Sequence, residues 1–89
     1  MPYITPDRRF LSVHTPENAG ELNFAITVLI DDYIQRHPEG LRYRVLNEVV
    51  GAMECAKLEL YRRIAGPYED KALYKNGDVY MCDKEAQNA

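Results

Sequence analysis

One lysine in this sequence stands where its chemistry fits poorly. Lys57 projects into the middle of an apolar stripe, between Met53 and Leu60, where a packed helix would carry Leu or Ile. An unpaired buried ammonium is costly and tends to lose its proton, so such a lysine either meets an acid or a phenol or carries its charge outward along its stem. Glu54, three residues before it, and Tyr61, four after it, lie on the same flank, and Asn23 could reach it from a facing helix. Just beyond, Arg62 and Arg63 close a helix, and Tyr68, Glu69, Asp70 and Lys71 follow the Gly66-Pro67 pair. A corner that gathers both signs of charge and an aromatic ring could hold a small anionic ligand or a partner's acidic segment. Pairing within the chain, and cations at the negative end of the helix dipole, explain the same residues.

The acids do not form a metal cage. All-helical nucleotide pyrophosphohydrolases hold magnesium with ExxE and ExxD pairs on adjacent helices, whereas here Glu17 and Glu21 are four apart, Asp31 and Asp32 adjacent, and Glu54 and Glu59 five apart. At 100° per residue, Glu48 and Glu59 fall on the back of their helix and Glu54 on its flank, so they do not converge. Nucleophilic catalysis lacks its base as well, since neither Cys55 nor Cys82 has a histidine at a suggestive position and His14 and His37 flank helix breaks. The cysteines form no CxxC, so neither a zinc site nor a disulfide framework is expected. No catalytic residue, metal ligand or cofactor is assigned.

The elements that must position these groups are helices. Thr5-Pro6-Asp7 sets a capping hydroxyl before a proline at the first helical position and predicts a short helix to about Val13. Thr15-Pro16-Glu17 repeats the signal, and Ala19, Leu22, Ile26, Leu29, Ile30 and Tyr33 then recur at helical spacing up to Pro38. His37-Pro38-Glu39-Gly40 is too short for a crossover, so a second long helix, from about Leu41 to Ala65, is expected to fold back antiparallel and stop at Gly66-Pro67. Its stripe is Leu46, Val49, Val50, Met53, Leu60 and Ile64. A short helix from Pro67 to Lys75, closed by Asn76-Gly77, completes a single helical domain over 1–82, and 83–89 reads as a polar tail.

Two features point outside a lone hairpin. Phe24 and Val28 fall opposite the stripe of the first long helix and need either the short helices or another subunit to cover them. On the back of the second, Gly51, Ala52, Cys55 and Ala56 form a small-residue strip that would let another helix approach closely. With 89 residues, a chain buries only about two thirds of its unfolded surface, so burial between subunits is expected.

The composition is that of an ordinary globular domain, 46% apolar and 28% charged. A net charge of −3 argues against general nucleic-acid binding and adhesion to anionic membranes. Arg8, Arg9, Arg42, Arg44, Arg62 and Arg63 would have to carry a nucleic-acid surface, but Glu48 and Glu59 dilute it. There is no run of about 18 apolar residues and no signal pattern, so a cytoplasmic protein is expected.

Five stretches carry a resemblance. Thr5-Pro6-Asp7-Arg8-Arg9, Glu17-Asn18-Ala19-Gly20-Glu21-Leu22-Asn23 and the run from Glu54 to Arg63 (ECAKLELYRR), with Pro67-Tyr68-Glu69-Asp70-Lys71 and Asn76-Gly77-Asp78-Val79-Tyr80, resemble a family of small uncharacterised proteins encoded by bacteriophages and some prokaryotes. The resemblance implies a cytoplasmic, phage-borne protein and transfers no catalytic role.

The expectation is an all-α protein, a long antiparallel helical hairpin with short flanking helices that completes a four-helix core by dimerisation. Its function would be non-enzymatic assembly or binding as a homo-oligomer. The alternative is a small-ligand or nucleotide-binding protein, or a metal-dependent nucleotide hydrolase, with a site near the end of the second long helix.

Overall fold

The structure, a computed structural model, describes residues 1–82 and is helical throughout its regular elements. The expected polar tail at 83–89 lies outside the described residues. Close contacts divide the chain into two compact units, Met1–Ala52 and Met53–Ala89.

In the first unit, α1 spans Pro6–His14, with the proline in its first turn as the sequence predicts. Helix α2, Ala19–Arg36, starts later than Thr15-Pro16-Glu17 suggests. The reason is local. Thr15 closes α1 instead, its N–H and hydroxyl both donating to the Leu11 carbonyl at 2.9 and 3.1 Å. Asn18 becomes the cap, its side-chain oxygen accepting from Glu21 N at 2.9 Å while Glu21 accepts from Glu17 N at 3.2 Å. That is a variant of the capping box in which the return bond goes to Glu17, one residue before the cap.

The same carboxylate joins the two helices. Arg8 on α1 donates from Nε and Nη2 to the two Glu21 oxygens, each at 3.0 Å, and Asn18 Nδ2 adds a third contact at 3.1 Å. Glu21 is 5% exposed, and beside it Ser12 is fully buried with its hydroxyl on the Arg8 carbonyl. Among the described residues no buried side-chain nitrogen or oxygen lacks a partner.

Docking α1 in this way settles which side of α2 is covered. Phe24 and Val28 are half-buried, with the Arg9 guanidinium 5.9 Å from the centre of the Phe24 ring. Leu22, Ile26, Leu29 and Tyr33, the stripe expected to face a hairpin partner, remain exposed. A short helix is therefore what meets Phe24 and Val28.

After α2 the chain turns at Gly40, whose φ of 65° favours glycine. Arg44 returns to pair with Glu39, and His37 Nδ1 accepts the Glu39 N–H at 3.0 Å. Helix α3 spans Tyr43–Leu60. Residues 43–52 of it do not bring their backbone close to that of α2, although His37 Nε2 at the end of α2 lies 3.7 Å from Glu48 Oε2. Val45 and Val49 turn inward, and among the described residues they are the only buried apolar side chains. Leu46 and Val50, assigned to the packed stripe, are exposed.

In the second unit the Gly66-Pro67 stop does not operate. Residues 61–65 form a wider π turn and α4, Gly66–Asn76, follows directly, so 43–76 is one uninterrupted helix of 34 residues. Pro67 has no N–H to give Arg63, and its ring would crowd that carbonyl in a regular turn. The chain accommodates it by inserting one residue, with Gly66 N–H donating to Tyr61 O. A side chain at Gly66 would place its Cβ 3.0 Å from that oxygen, so glycine suits the widened turn. Asn76-Gly77 does end α4, with Gly77 at φ 88° and its N–H on the Leu73 carbonyl at 2.8 Å.

Acid should release α1. The Arg8 bonds, together with those from Glu17 N and Ser12, lower the Glu21 carboxyl from its ordinary 4.5 to about 2, against the opposing effect of its burial. A depressed carboxylate binds its proton more weakly when folded, so its stabilisation is complete above about pH 4.5 and is lost as pH falls through about 2. Amide exchange across α1 should therefore accelerate over that interval. Glu21→Gln should give fast α1 exchange already at neutral pH and flatten the acid dependence; an unchanged profile would show that the pair does not hold α1.

Candidate functional site

The groups singled out around the end of the second long helix all belong to the second unit, and each lies on its surface. Lys57 is not inside the chain. Its ammonium lies 3.3 Å from Glu54 Oε1, one helical turn back, with the two side chains 67% and 54% exposed. The apolar stripe around it is itself open to solvent, which removes the conflict that its position suggested. An exposed pair at this spacing contributes about 0.2–0.5 kcal/mol at most.

Tyr61 takes a different partner from the one expected. Its hydroxyl donates to Glu69 Oε1 at 3.0 Å, across eight residues. In a regular α-helix residues eight apart are rotated by roughly 80°, but one inserted residue makes them equivalent to a spacing of seven, roughly 20° apart. The π turn is thus what brings phenol and carboxylate onto one side. The bond to Glu69, and the nearby negative charge, push the Tyr61 hydroxyl above its usual 10.0.

Arg62 closes on Glu59 with two contacts from Nη2, at 2.9 and 3.0 Å, so its charge is neutralised by its own helix. Arg63, Tyr68, Asp70 and Lys71 are exposed. Glu69 and Asp70 also border a groove of about 420 Å³ that continues along Leu73 to Asp78, Val79 and Tyr80. The corner therefore combines one phenol–carboxylate bond with local ion pairs and an open groove carrying three acids. Among the described residues no three His, Cys, Asp or Glu side chains are grouped as a metal site would require.

The residues named for self-association are divided by the fold. Phe24 and Val28 are half-buried against α1, whereas Gly51, Ala52, Cys55 and Ala56 are exposed. A Cβ at Gly51 would meet nothing within 4 Å, so no contact within the chain requires glycine there. Both cysteines are free and exposed.

Sequence reading missed the most constrained polar cluster in the first unit. In the sequence Arg8 reads as one of several surface arginines and Glu21 as one of two acids four apart. The signal was present in Asn18 followed three residues later by Glu21, the capping-box pattern, but nothing in the spacing indicates that Arg8 would arrive from another helix.

These elements define a helical protein with open apolar faces. The chain belongs to the family described as Domain of unknown function (DUF6899), whose model matches residues 1–79. No curated protein and no solved structure shows significant similarity to it. No helix among the described residues is long and apolar enough to cross a membrane.

Removing the proline tests the geometry of this corner. Pro67→Ala restores an N–H that can reach the Arg63 carbonyl, so the π turn should relax and the melting temperature should rise by a few degrees, equivalent to about 1 kcal/mol. Relaxation rotates Glu69 away by roughly 100°. The Tyr61 ring, followed by NMR through alkaline pH, should then titrate lower than in the wild type; an unchanged titration would show that the bond does not depend on the turn.

Proposed function

We propose that the chain is a non-enzymatic assembly or binding protein that works as a homo-oligomer, its open helical faces being covered by further copies of itself. One observation supports this reading above the others. Only Val45 and Val49 are buried among the apolar side chains of the described residues, while Leu22, Ile26, Leu29 and Tyr33 on α2 and Leu46, Val50, Met53 and Leu60 on α3 are exposed. A monomer rarely leaves so many large apolar side chains in contiguous rows, and rows of this kind mark contact surfaces. Two chains that contribute two long helices each would complete a four-helix core.

The polar corner fits the same reading. Arg62 and Lys57 pair with acids on their own helix and stand open to solvent, with no pocket built around them among the described residues. The small-residue strip Gly51, Ala52, Cys55 and Ala56 is a second surface at which a helix could approach, with Phe24 and Val28 at the edge of the α1–α2 contact. The work proposed is cytoplasmic assembly by a phage-borne protein, the setting that the resemblance of its motifs implies.

Sedimentation equilibrium at micromolar concentration should give at least twice the chain mass of 10.3 kDa. A single species at the chain mass would overturn this function. Leu29→Glu, a charge on a fully helical and 71% exposed position, should leave the helical circular dichroism unchanged while weakening any association made through α2.

A further inference from the structure

His37 closes α2, and its ring meets three parts of the first unit at once. Its side chain is only 18% exposed. Nδ1 accepts the Glu39 N–H at 3.0 Å, inside the turn that leads to α3. Nε2 lies 3.7 Å from Glu48 Oε2, on α3 itself. The ring also rests against Tyr33, one turn back on α2, with centroids 5.9 Å apart and planes inclined at 59°.

These contacts fix where the ring carries its proton. In a neutral imidazole one nitrogen donates and the other accepts, so Nδ1, by accepting, leaves the single proton on Nε2, on the side of Glu48. A second proton can enter only at Nδ1. Once there, the ring N–H and the Glu39 N–H would point at each other across 3.0 Å, two donors with no acceptor between them. The bond to Glu39 must then break.

The surroundings are suited to receive the charge that this proton brings. On α2, Asp32, Tyr33 and Arg36 border the groove beside the ring, and Arg36 is already bonded to Asp32 at 2.9 Å. In the turn, Glu39 is bonded by Arg44 of α3. That bond holds the Glu39 carboxyl below the usual carboxylate range, and the charges of Arg44 and His37 act in the same direction. Glu39 is therefore ionised between about pH 5 and 8, the interval in which histidines commonly titrate. On α3, Glu48 stands next to Nε2 with half of its side chain open to solvent and no arginine bonded to it. It is the acid best placed to pair with an imidazolium.

Breaking the Glu39 bond does not undo the turn. Gly40 N–H still donates to the His37 carbonyl at 3.0 Å, and Gly40 keeps the positive φ that the turn requires. The change is a transfer: the Glu39 peptide is freed, and the end of α2 is drawn to α3 at Glu48, which lies three residues after the buried Val45 and next to the buried Val49.

We propose that His37 is a proton-operated latch between α2 and α3: neutral, it holds the Glu39 peptide of the turn, and protonated, it releases that peptide and pairs with Glu48. The latch lies wholly within the first unit and does not depend on the self-association proposed above.

NMR of the full chain, labelled with 15N and 13C, tests it. An N–H···N bond transmits a scalar coupling between its two nitrogens, so above about pH 8 a coupling should link Glu39 N to His37 Nδ1, with the ring in its Nε2–H form. On acidification that coupling should be lost in step with the imidazole signals of His37, and the Glu48 carboxyl carbon should shift with the same midpoint. His37→Leu, checked for intact helices by circular dichroism, should abolish the response of Glu39 N–H and of Glu48 over this interval. Should that variant lose its helices, the wild-type titration still decides. A ring in the Nδ1–H form, a coupling that is absent at alkaline pH or retained by the charged ring, or a Glu48 carbon that ignores the ring's titration would overturn the latch. A wild-type response in a folded His37→Leu would overturn it as well.

Discussion

Glu21 has exchanged nearly all of its water for protein donors, and the first unit is organised around that exchange. Its two oxygens receive both donors of the Arg8 fork, the Asn18 amide and the Glu17 backbone N–H. A carboxylate this enclosed is tolerated only when its lone pairs are met, because removing one partner of a buried pair leaves an uncompensated charge. The arrangement therefore demands that α1 lie across the start of α2 with Arg8 in one position. From that placement follow the half-burial of Phe24 and Val28, the Arg9 contact with the Phe24 ring and the exposure of the opposite stripe.

The second unit depends on a different constraint, the missing N–H of Pro67. A proline within a helix ordinarily kinks or ends it. Here the widened turn absorbs it, Gly66 fits close to the Tyr61 carbonyl, and the helix runs on to Gly77. The phase change aligns Tyr61 with Glu69. What reads in the sequence as a corner collecting charges is, in the structure, a helix that passes through a widened turn, its residues beyond that turn rotated about the helix axis.

Both constraints are polar or steric, and neither supplies a core. The described residues bury two valines, and hydrophobic burial is the dominant favourable contribution to folding. Covering the rows on α2 and α3 would supply what these local devices do not. This is the ground on which assembly is proposed, while at the polar corner Lys57 and Arg62 each meet an acid of their own helix.

The sequence by itself determined that the chain is helical, where the first turn of α1 begins and where α4 ends. Those features depend on proline, capping residues, glycine and a 3.6-residue period, all of which act over a few residues. It also placed Leu22, Ile26, Leu29 and Tyr33 on one apolar face and Leu46, Val49, Val50, Met53, Leu60 and Ile64 on another, with the expectation that the two would pack on each other in a hairpin. Only the tertiary structure decided that α1 would cover Phe24 and Val28, that Val45 would be buried beside the expected Val49, and that most of the two rows would stay open. Periodicity gives the side of a helix on which apolar residues lie but not what meets that side, because the choice among partners is made by contacts distant in sequence. Arg8 reaching Glu21 across thirteen residues is such a contact, and so is the bond that pairs Tyr61 with Glu69 only after the helix has widened by one residue.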